Sequence, residues 1–547
     1  MSIFNHMDFK DYEDFKNNFH LNIPENFNFA FDCVDVLAEK EGDRLAIRWD
    51  SDDEDSRDYT FSEIKYYSDA AARYFLSLNI GKGDRVMLIL KRRIHFWFAI
   101  IGLIKIGAIA IPATHHLIAS DIIYRNRSAS VNAIIAVDDA KILSEIEAAK
   151  AESPSVSHYI RIGEKEPSSY KLKYDWKLFE DGIKKNLDGD ALPRVTENKD
   201  NMLLYFTSGT TDYPKMVLHN HTYPLAHIVT AKYWHNLTPD SIHLTLSDTG
   251  WGKAVWGKLF GQWLCKAAVL VYDHEKLVPA KLLKIISKNK VTSFCAPPTV
   301  YRVLLTSDFS KYDLSSLSYA TSAGEPLNDS VFNEFLQRTG LKIYEAYGQT
   351  ETTAIVLTSP YTEPKPGSLG KVNPLYKVVF LKADGSPLSS PGEGEICLDI
   401  SPGDPGIFTG YYRNISMTNY AWEGGLYHTG DLASIDDEGY IYFIGRADDI
   451  IKSAGYRIGP FEVESVVQQH PAVLECAVTG VPDKLRGQAI KVSIILRNEI
   501  EPTDSLKKEI RAFVKNNAAS YKIPRVIDFV KELPKTISGK VRRTEIR

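Results

Sequence analysis

"YFTSGTTDYPK" occupies residues 205–215 and places hydroxyl groups, a glycine and a lysine directly behind an apolar lead. The spacing from Gly209 to Lys215 matches a Walker A phosphate loop, but Pro214 replaces the second glycine and Met216 replaces the magnesium-binding Ser or Thr. An ordinary P-loop nucleotidase is therefore disfavoured. Hydroxyl and backbone N–H donors on such a turn can still bind a polyphosphate. A plain Ser/Thr-rich turn after a buried strand is the other interpretation that this stretch allows by itself.

The composition is that of a globular chain with more than one domain. Its 547 residues exceed the size of an ordinary domain, and 44% are hydrophobic and 25% charged. A formal net charge of -5 offers no basic excess for nucleic acid. The five cysteines lie far apart and form no Cys/His cluster at metal-binding spacing. We therefore expect a reduced, cytoplasmic chain.

The most apolar run lies at residues 97–114 and carries Lys105 in its middle. A buried helix followed by a short strand is favoured there over a membrane span. The N terminus is acidic and aromatic, without the basic and apolar regions of a signal peptide. The sequence therefore predicts neither export nor a transmembrane segment, and it leaves the oligomeric state open.

Short apolar strands alternate with helical patterns over most of the chain, which predicts an α/β fold. Thr60 and Glu63 form a capping-box pattern before an amphipathic helix. Near the end the pattern changes to a helix behind Pro460, a strand at 489–497 and a helix from Ser505. We expect two domains, a large one over 1–447 and a small α+β one over 448–547.

Further motifs follow the first in order along the chain: "SAGEPL" (322–327), "YEAYGQTETT" (344–353), "YHTGDLASIDDEGYIYFIGRADDIIKSAGYRIGPFEVE" (427–464) and "PKTISGKVRR" (534–543). Together with residues 205–219 they closely resemble the adenylate-forming superfamily of acyl-CoA synthetases, acid ligases and luciferases. Within it, "SDTGWGKAVWGKLFGQW" (247–263) looks most like the medium-chain acyl-CoA synthetases. The resemblance implies doubly wound sheets and a distorted β-barrel in the large domain, and a mobile small domain.

The reaction that this resemblance implies has two steps. A carboxylate attacks the α-phosphate of ATP to give acyl-adenylate and pyrophosphate, and the thiol of coenzyme A then displaces AMP. The expected acid is medium-chain, branched or aryl, and Mg²⁺ is expected beside ATP. The resemblance assigns catalysis to Lys215, Thr350, Glu351 and Lys540, with Glu351 as the metal ligand through a hard carboxylate oxygen.

The resemblance also assigns ATP contacts to four segments and to Lys540. Tyr347 would stack on the adenine, and Asp431 would accept hydrogen bonds from the ribose hydroxyls. The full set is Thr207, Ser208, Gly209, Thr210, Thr211, Asp212, Tyr213, Pro214, Lys215, Gly324, Glu325, Pro326, Glu345, Ala346, Tyr347, Gly348, Gln349, Thr350, Asp431, Arg446 and Lys540.

For the second step, the family pattern rotates the small domain about a hinge aspartate, here Asp448. The residues expected at coenzyme A are Ala454, Gly455, Tyr456, Arg486 and Lys522. Arg457 is expected near phosphate or substrate. The expected acyl pocket is lined by Trp251, Gly252, Val255, Trp256 and Gly348. Gly348 stands where acetate-specific members carry a tryptophan, so the pocket should be deeper here.

One position departs from the family pattern. Asp212 replaces a glycine and adds negative charge to a loop expected to bind phosphates. Two alternatives therefore stay open beside the synthetase: adenylation with transfer to a carrier protein in trans, and a sensor of nucleotide or acyl-CoA without catalysis. Retention of Glu351 and Lys540 argues against the sensor, because binding alone would not require them.

Overall fold

A computed structural model describes residues 8–52, 55–163, 170–207, 213–400, 404–498, 500–536 and 540–546. The predictions for Ser208, Gly209, Thr210, Thr211 and Asp212 concern residues outside these ranges.

The described strands are short and are numbered here in chain order. They are β1 Leu45–Ser51, β2 Ser56–Thr60, β3 Arg85–Ile89, β4 Ile109–Pro112, β5 Ala133–Val137, β6 His158–Ile162, β7 Lys177–Leu178, β8 Asn201–Thr207, β9 Lys215–Asn220, β10 Ile242–Thr245, β11 Ala268–Asp273, β12 Ser293–Cys295, β13 Tyr319–Ala323, β14 Ile343–Gly348, β15 Ala354–Leu357, β16 Ser368–Val372, β17 Val378–Leu381, β18 Gly392–Asp399, β19 Gly410–Tyr411, β20 Leu426–Ile435, β21 Ile441–Arg446, β22 Ile451–Ser453, β23 Tyr456–Ile458, β24 Val473–Asp483, β25 Gly487–Leu496 and β26 Val526–Phe529.

Helices alternate with these strands. The α-helices are α1 Tyr12–Asn18, α2 Val36–Lys40, α3 Phe61–Ser77, α4 His95–Ile106, α5 Ala119–Ala129, α6 Ala140–Ala149, α7 Phe179–Lys185, α8 Tyr223–Ile228, α9 Gly252–Lys258, α10 Phe260–Leu264, α11 Pro279–Lys288, α12 Pro298–Leu304, α13 Asp329–Thr339, α14 Ile415–Ala421, α15 Pro460–Val467 and α16 Asp504–Asn517. Two π-helical segments adjoin them, Ala30–Asp35 and Val229–Trp234. Short 3₁₀ turns lie at Lys150–Glu152, Phe309–Lys311, Glu423–Gly425, Ser520–Lys522 and Arg543–Glu545.

Three sheets organise the chain. One has eight strands in the order β19-β9-β8-β4-β3-β5-β6-β7, and one has thirteen in the order β17-β18-β20-β21-β16-β15-β14-β13-β12-β10-β11-β1-β2. Strands β10 to β14 of the larger sheet run parallel, and antiparallel pairs continue the sheet from β14 in the order β15-β16-β21-β20-β18-β17. These antiparallel strands stand where the distorted β-barrel is expected and pair along an open path within the described ranges. The α/β prediction is confirmed.

The third sheet has five strands, all within residues 451–529. It carries α15 and α16 over a separate core that includes Val463, Val478 and Ile510. The predicted change of pattern near the chain end is therefore a change of fold unit, of α+β type. A boundary at residue 448 stays a prediction.

Local sequence signals account for two elements of the large unit. The Thr60 hydroxyl accepts from the N–H of Glu63 at 3.3 Å and the Glu63 carboxylate accepts from the N–H of Thr60 at 3.0 Å, which is the predicted capping box at the start of α3. The apolar run forms α4 and then β4, as predicted, with Gly107 at φ 72° ending the helix. Lys105 is buried in α4, and its ammonium group is paired there with Asp35, whose carboxylate accepts a hydrogen bond from it at 2.6 Å.

No helix within the described ranges is long and apolar enough to cross a membrane.

Candidate functional site

The site is assembled at the carboxyl ends of the parallel strands β13 and β14. The 324–326 and 349–351 segments leave the sheet there on neighbouring strands, at the edge where open α/β sheets bind ligands. Glu345 connects the two segments, because its buried carboxylate accepts from the N–H of Leu327 at 3.1 Å. Glu325 accepts from the N–H of Thr299 at 2.9 Å. Gly324 has φ 105°, a backbone conformation that favours glycine. These carboxylates stabilise the expected adenine-contacting backbone, which includes Pro326 and Ala346.

Asp431 is the centre of a buried hydrogen-bond network. Its Oδ2 accepts from the Tyr347 hydroxyl at 2.5 Å and from Nε2 of Gln349 at 2.6 Å, and Arg446 lies 3.6 Å from Oδ1. Asp431 and Arg446 are cross-strand partners on β20 and β21. Burial raises the pKa of Asp431, and the charge of Arg446 is the largest opposing effect. Tyr347, expected to stack on adenine, thus also orients the expected ribose ligand.

Glu351 is buried beside a tyrosine and a lysine. Its Oε1 accepts from the Tyr411 hydroxyl at 2.9 Å, and Nζ of Lys215 lies 5.2 Å from the Tyr411 ring centroid. Burial raises the pKa of Glu351, while the Tyr411 hydrogen bond and the Lys215 charge oppose the shift. A buried carboxylate with a hard oxygen and a nearby cation fits a Mg²⁺–phosphate site. Thr350, one residue earlier, is positioned by His219, whose Nε2 lies 2.8 Å from the Thr350 carbonyl oxygen.

Two paired strands flank the expected phosphate loop. Thr207 at the end of β8 pairs with Lys215 at the start of β9. Tyr124 donates its hydroxyl to the carbonyl of Pro214 at 3.1 Å, and its ring stacks on Tyr213 with centroids 4.8 Å apart. Lys215 thus begins β9, and its ammonium group lies over the ring of Tyr411, the tyrosine that donates to Glu351.

The expected acyl pocket is tighter at Gly348 than the sequence suggests. A Cβ at Gly348 would lie 2.2 Å from the Thr353 carbonyl oxygen and 2.6 Å from Cη2 of Trp256. Trp256 and Val255 are buried on α9, with Trp251 just before the helix. Trp256 therefore occupies the space beside Gly348.

Gly252 has more room at the start of α9, because a Cβ there would be 3.8 Å from Thr350. Lys253 follows it in the quoted "GWGK" stretch and was overlooked as a site residue. Its Nζ donates to the Ala323 carbonyl at 2.6 Å, and burial lowers its pKa. The sequence could have indicated Lys253, because a lysine stands there directly beside the residues of the expected acyl pocket.

Lys540 belongs to the C-terminal unit. Its positive charge opposes the rise of the Asp431 pKa, but less than the charge of Arg446 and the hydrogen bonds from Tyr347 and Gln349. The Lys540 segment is held by Thr536, whose N–H donates to the Lys540 carbonyl at 2.7 Å and whose hydroxyl accepts from the Lys540 N–H at 3.1 Å. The structure therefore brings Lys540 toward the residues expected at ATP.

The residues expected at coenzyme A gather within the C-terminal unit. Ala454 and Gly455 have φ 51° and 86° and form the two-residue turn between β22 and β23, and the Ala454 N–H donates to the Arg486 carbonyl at 2.9 Å. Tyr456 stacks on Tyr521 with centroids 4.3 Å apart. The remaining member of this set, Lys522, forms an ion pair with Glu462. Arg457, expected near phosphate or substrate, is exposed on β23.

The expected hinge residue lies between the two units. Asp448 is half-exposed, and its Oδ1 lies 3.4 Å from Nε of Arg446. It follows β21, the last strand of the thirteen-stranded sheet along the chain, and precedes β22, the first strand of the C-terminal sheet. Arg446 therefore lies between the expected hinge, Asp448, and the expected ribose ligand, Asp431.

Two tyrosines of the site were overlooked in the sequence. Tyr411 orients Glu351, and Tyr427 donates its hydroxyl to Oε1 of Gln349 at 2.5 Å. Tyr427 stands in the "YHTGD" motif, which could have indicated it. Tyr411 comes from "TGYY", and only its distance from Glu351 in space reveals its role.

The fold and this site define an adenylate-forming enzyme. A family model described as AMP-binding enzyme matches residues 34–412, and one described as AMP-binding enzyme C-terminal domain matches residues 462–540. The chain belongs to the AMP-binding enzyme family. It is 37% identical to acyl-coenzyme A synthetase ACSM3, mitochondrial, of Homo sapiens, over 98% of this chain and 92% of that protein.

Two further relatives are similar over nearly the whole chain. The 4-hydroxybutyrate–CoA ligase 1 of Metallosphaera sedula is 38% identical over 95% of this chain and 90% of its own length. The crystal structure of the anthranilate CoA ligase AuaEII in complex with anthranoyl-AMP has a TM-score of 0.85 and 29% identity, covering 96% of this chain and 97% of that chain. The present chain is an AMP-forming acid–thiol ligase, an acyl-CoA synthetase that uses a carboxylic acid, ATP with Mg²⁺, and coenzyme A.

Proposed function

We propose that this enzyme activates a medium-chain, branched or aryl carboxylic acid, with the acyl group held beside α9. The support is the position of Trp256 against Gly348, together with Gly252, where a Cβ would make only ordinary contact with Thr350 at 3.8 Å. A flat or short branched acyl group fits beside an indole ring, which offers a large apolar face.

Each charged residue of the site has its own proposed role in the first step. Lys215 would neutralise the phosphates, Asp431 and Arg446 would bind the ribose, and Glu351 would hold Mg²⁺, which supplies further neutralisation of phosphate charge when bound. Lys540 would orient the carboxylate and neutralise the α-phosphate, where two anions must approach. Tyr411 keeps the Glu351 carboxylate in place by hydrogen bonding to one oxygen.

The role of Lys540 in adenylation is supported by the effect of its charge on the pKa of Asp431 in the large unit, and the two units also contact each other where Gln468 accepts from Asn328 and Arg302. This orientation suits adenylation. Thioester formation needs the same space for the coenzyme A thiol, so we propose that residues 448–547 rotate about Asp448 and bring the Gly455 turn inward. The residues expected at coenzyme A would then face the adenylate.

The test is AMP release with a panel of linear, branched and aryl acids, measured with and without coenzyme A. Turnover that requires coenzyme A, and that is fastest for an acid in the proposed group, is expected. Lys540→Ala should abolish turnover, whereas Lys531→Ala, at an exposed lysine of the same region, should not. Fastest turnover with acetate would contradict the proposed acid class.

We also propose a cytoplasmic location, which rests on the expected reduced cysteines. The described cysteines are all free and buried. The human relative is named as mitochondrial. Fractionation of the source cells decides between the two compartments.

A further inference from the structure

Three potential metal ligands meet on neighbouring strands, away from the residues assigned to ATP. Glu395 and Cys397 lie two residues apart on β18, and His428 lies on β20 directly opposite Cys397. One ligand atom from each lies within 4.8 Å of the others. The β18–β20 pairing shifts between Glu395 and Cys397, and such irregularities redirect side chains. Strands hold all three residues, so the cluster is built on a rigid part of the sheet.

This cluster faces away from the nucleotide residues. Successive side chains of a strand point to opposite faces of its sheet. Tyr427 and Asp431 point toward Gln349, and His428 lies between Tyr427 and Thr429 on the other face. The burial along β20 alternates accordingly. The cluster is therefore a separate site, on the reverse side of the strand that carries the expected ribose ligand.

The distances agree with a tetrahedral metal ion. Nδ1 of His428 lies 3.2 Å from Oε2 of Glu395 and 3.6 Å from Sγ of Cys397. With metal bonds of about 2.0–2.1 Å to nitrogen or oxygen and about 2.3 Å to sulfur, tetrahedral Zn²⁺ separates nitrogen from oxygen by about 3.3 Å and nitrogen from sulfur by about 3.6 Å. Both separations from Nδ1 of His428 are therefore close to the edges of a zinc coordination tetrahedron, and the third, between Glu395 and Cys397, is within 4.8 Å.

The surroundings favour an ion that is open to one further ligand. Cys397 is fully buried, whereas the side chains of His428 and Glu395 are 29% and 23% exposed. Oε1 of Glu395 accepts from the N–H of Gly430 at 3.0 Å, which orients the other oxygen toward His428. Such outer hydrogen bonds position metal ligands. A solvent molecule can reach the fourth position from the exposed side.

We propose that Glu395, Cys397 and His428 bind one divalent transition-metal ion, with Zn²⁺ favoured by the mixed thiolate, imidazole and carboxylate donors. Binding replaces the thiol proton of Cys397, which is released to solvent, with a metal–sulfur bond, and no oxidant or reductant is needed. Because Glu395 also accepts from the N–H of Gly430, a bound ion would stiffen the part of β20 that precedes Asp431.

The experiment is titration of the chelator-treated, full-length enzyme with Co²⁺ as a spectroscopic probe for Zn²⁺. We expect one Co²⁺ per chain, a near-ultraviolet thiolate-to-cobalt absorption, and visible bands of tetrahedral intensity. Zn²⁺ should remove this absorption on addition, and a large excess of Mg²⁺ should not, because Mg²⁺ prefers oxygen ligands.

Variants identify the ligands. Cys397→Ser should lose the thiolate band, and His428→Gln should bind Co²⁺ about tenfold or more weakly. Cys33→Ser removes another buried cysteine, and His470→Gln removes a histidine 3.4 Å from a carboxylate, so both should retain the wild-type spectrum. If circular dichroism shows that Cys397→Ser is unfolded, His428→Gln decides the matter. Absence of the band in the wild type, or its persistence in Cys397→Ser, would overturn the proposal. Neither result depends on ligase turnover.

Discussion

Gln468 connects the C-terminal unit to the large unit, and its removal should slow the first half-reaction selectively. It follows α15, and its Oε1 accepts from Nδ2 of Asn328 and from Nη1 of Arg302, the latter at 3.4 Å. Both donors belong to the large unit: Asn328 immediately precedes α13, and Arg302 lies within α12. These contacts exist in the orientation that brings Lys540 toward Asp431.

The size of the effect follows from the two hydrogen bonds. Each contributes about 0.5–1.5 kcal/mol net, so Gln468→Ala should destabilise this orientation by about 1–3 kcal/mol relative to other orientations. That free energy corresponds to about a 5- to 150-fold change in an equilibrium constant. Rotation of the C-terminal unit breaks both hydrogen bonds in the wild type, so the variant should not impair the second step.

The assay separates the two half-reactions. Exchange of pyrophosphate into ATP in the presence of acid measures adenylation, and acyl-CoA formation from supplied acyl-adenylate measures thioester formation. Gln468→Ala should slow exchange by up to about 150-fold and leave the second reaction unchanged or faster. Gln469→Ala, at the exposed neighbouring residue, is the matched control. Equal loss of both half-reactions, or unchanged exchange, would refute the reasoning.

Three further predictions test the site. Lys540→Ala should abolish pyrophosphate exchange and spare thioester formation from acyl-adenylate. Asp448→Pro should spare exchange and block thioester formation, because proline restricts φ at the proposed hinge. Equal loss of both steps in Lys540→Ala would contradict the proposed alternation. Gly348→Ala should lower the free energy of unfolding by about 1–3 kcal/mol in urea titrations, because the added methyl group overpacks the site. Trp256→Leu should raise kcat/KM for larger acids relative to smaller ones, and an unchanged acid profile would show that Trp256 does not bound the pocket. Burial lowers the pKa of His219 from its ordinary 6.5 to about 3, so the unfolded chain binds an extra proton there between these values and His219 should contribute a fall in stability of about 1.4 kcal/mol per pH unit as pH drops through that window. His219→Gln should reduce the slope of stability against pH by this amount, and an unaltered slope would show that His219 does not contribute to it.

The sequence by itself determined the elements whose signals are local. The capping box before α3 joins residues three positions apart, and the apolar run ending at Gly107 contains its own helix stop. Such hydrogen bonds and backbone preferences act over one or two turns of chain, so a short pattern suffices to predict them. The ordered motifs likewise established the family, which the family matches confirm. The individual site assignments stay predictions.

Only the tertiary structure decided which distant residues share one environment. Tyr347 and Asp431 are 84 positions apart, Tyr411 and Glu351 are 60 apart, and both pairs form hydrogen bonds. The cysteines show no metal spacing along the chain, yet Cys397 faces His428 across two strands. The physical reason is that these contacts depend on strand order and register in the thirteen-stranded sheet, which the packing of the whole unit determines and no local pattern encodes.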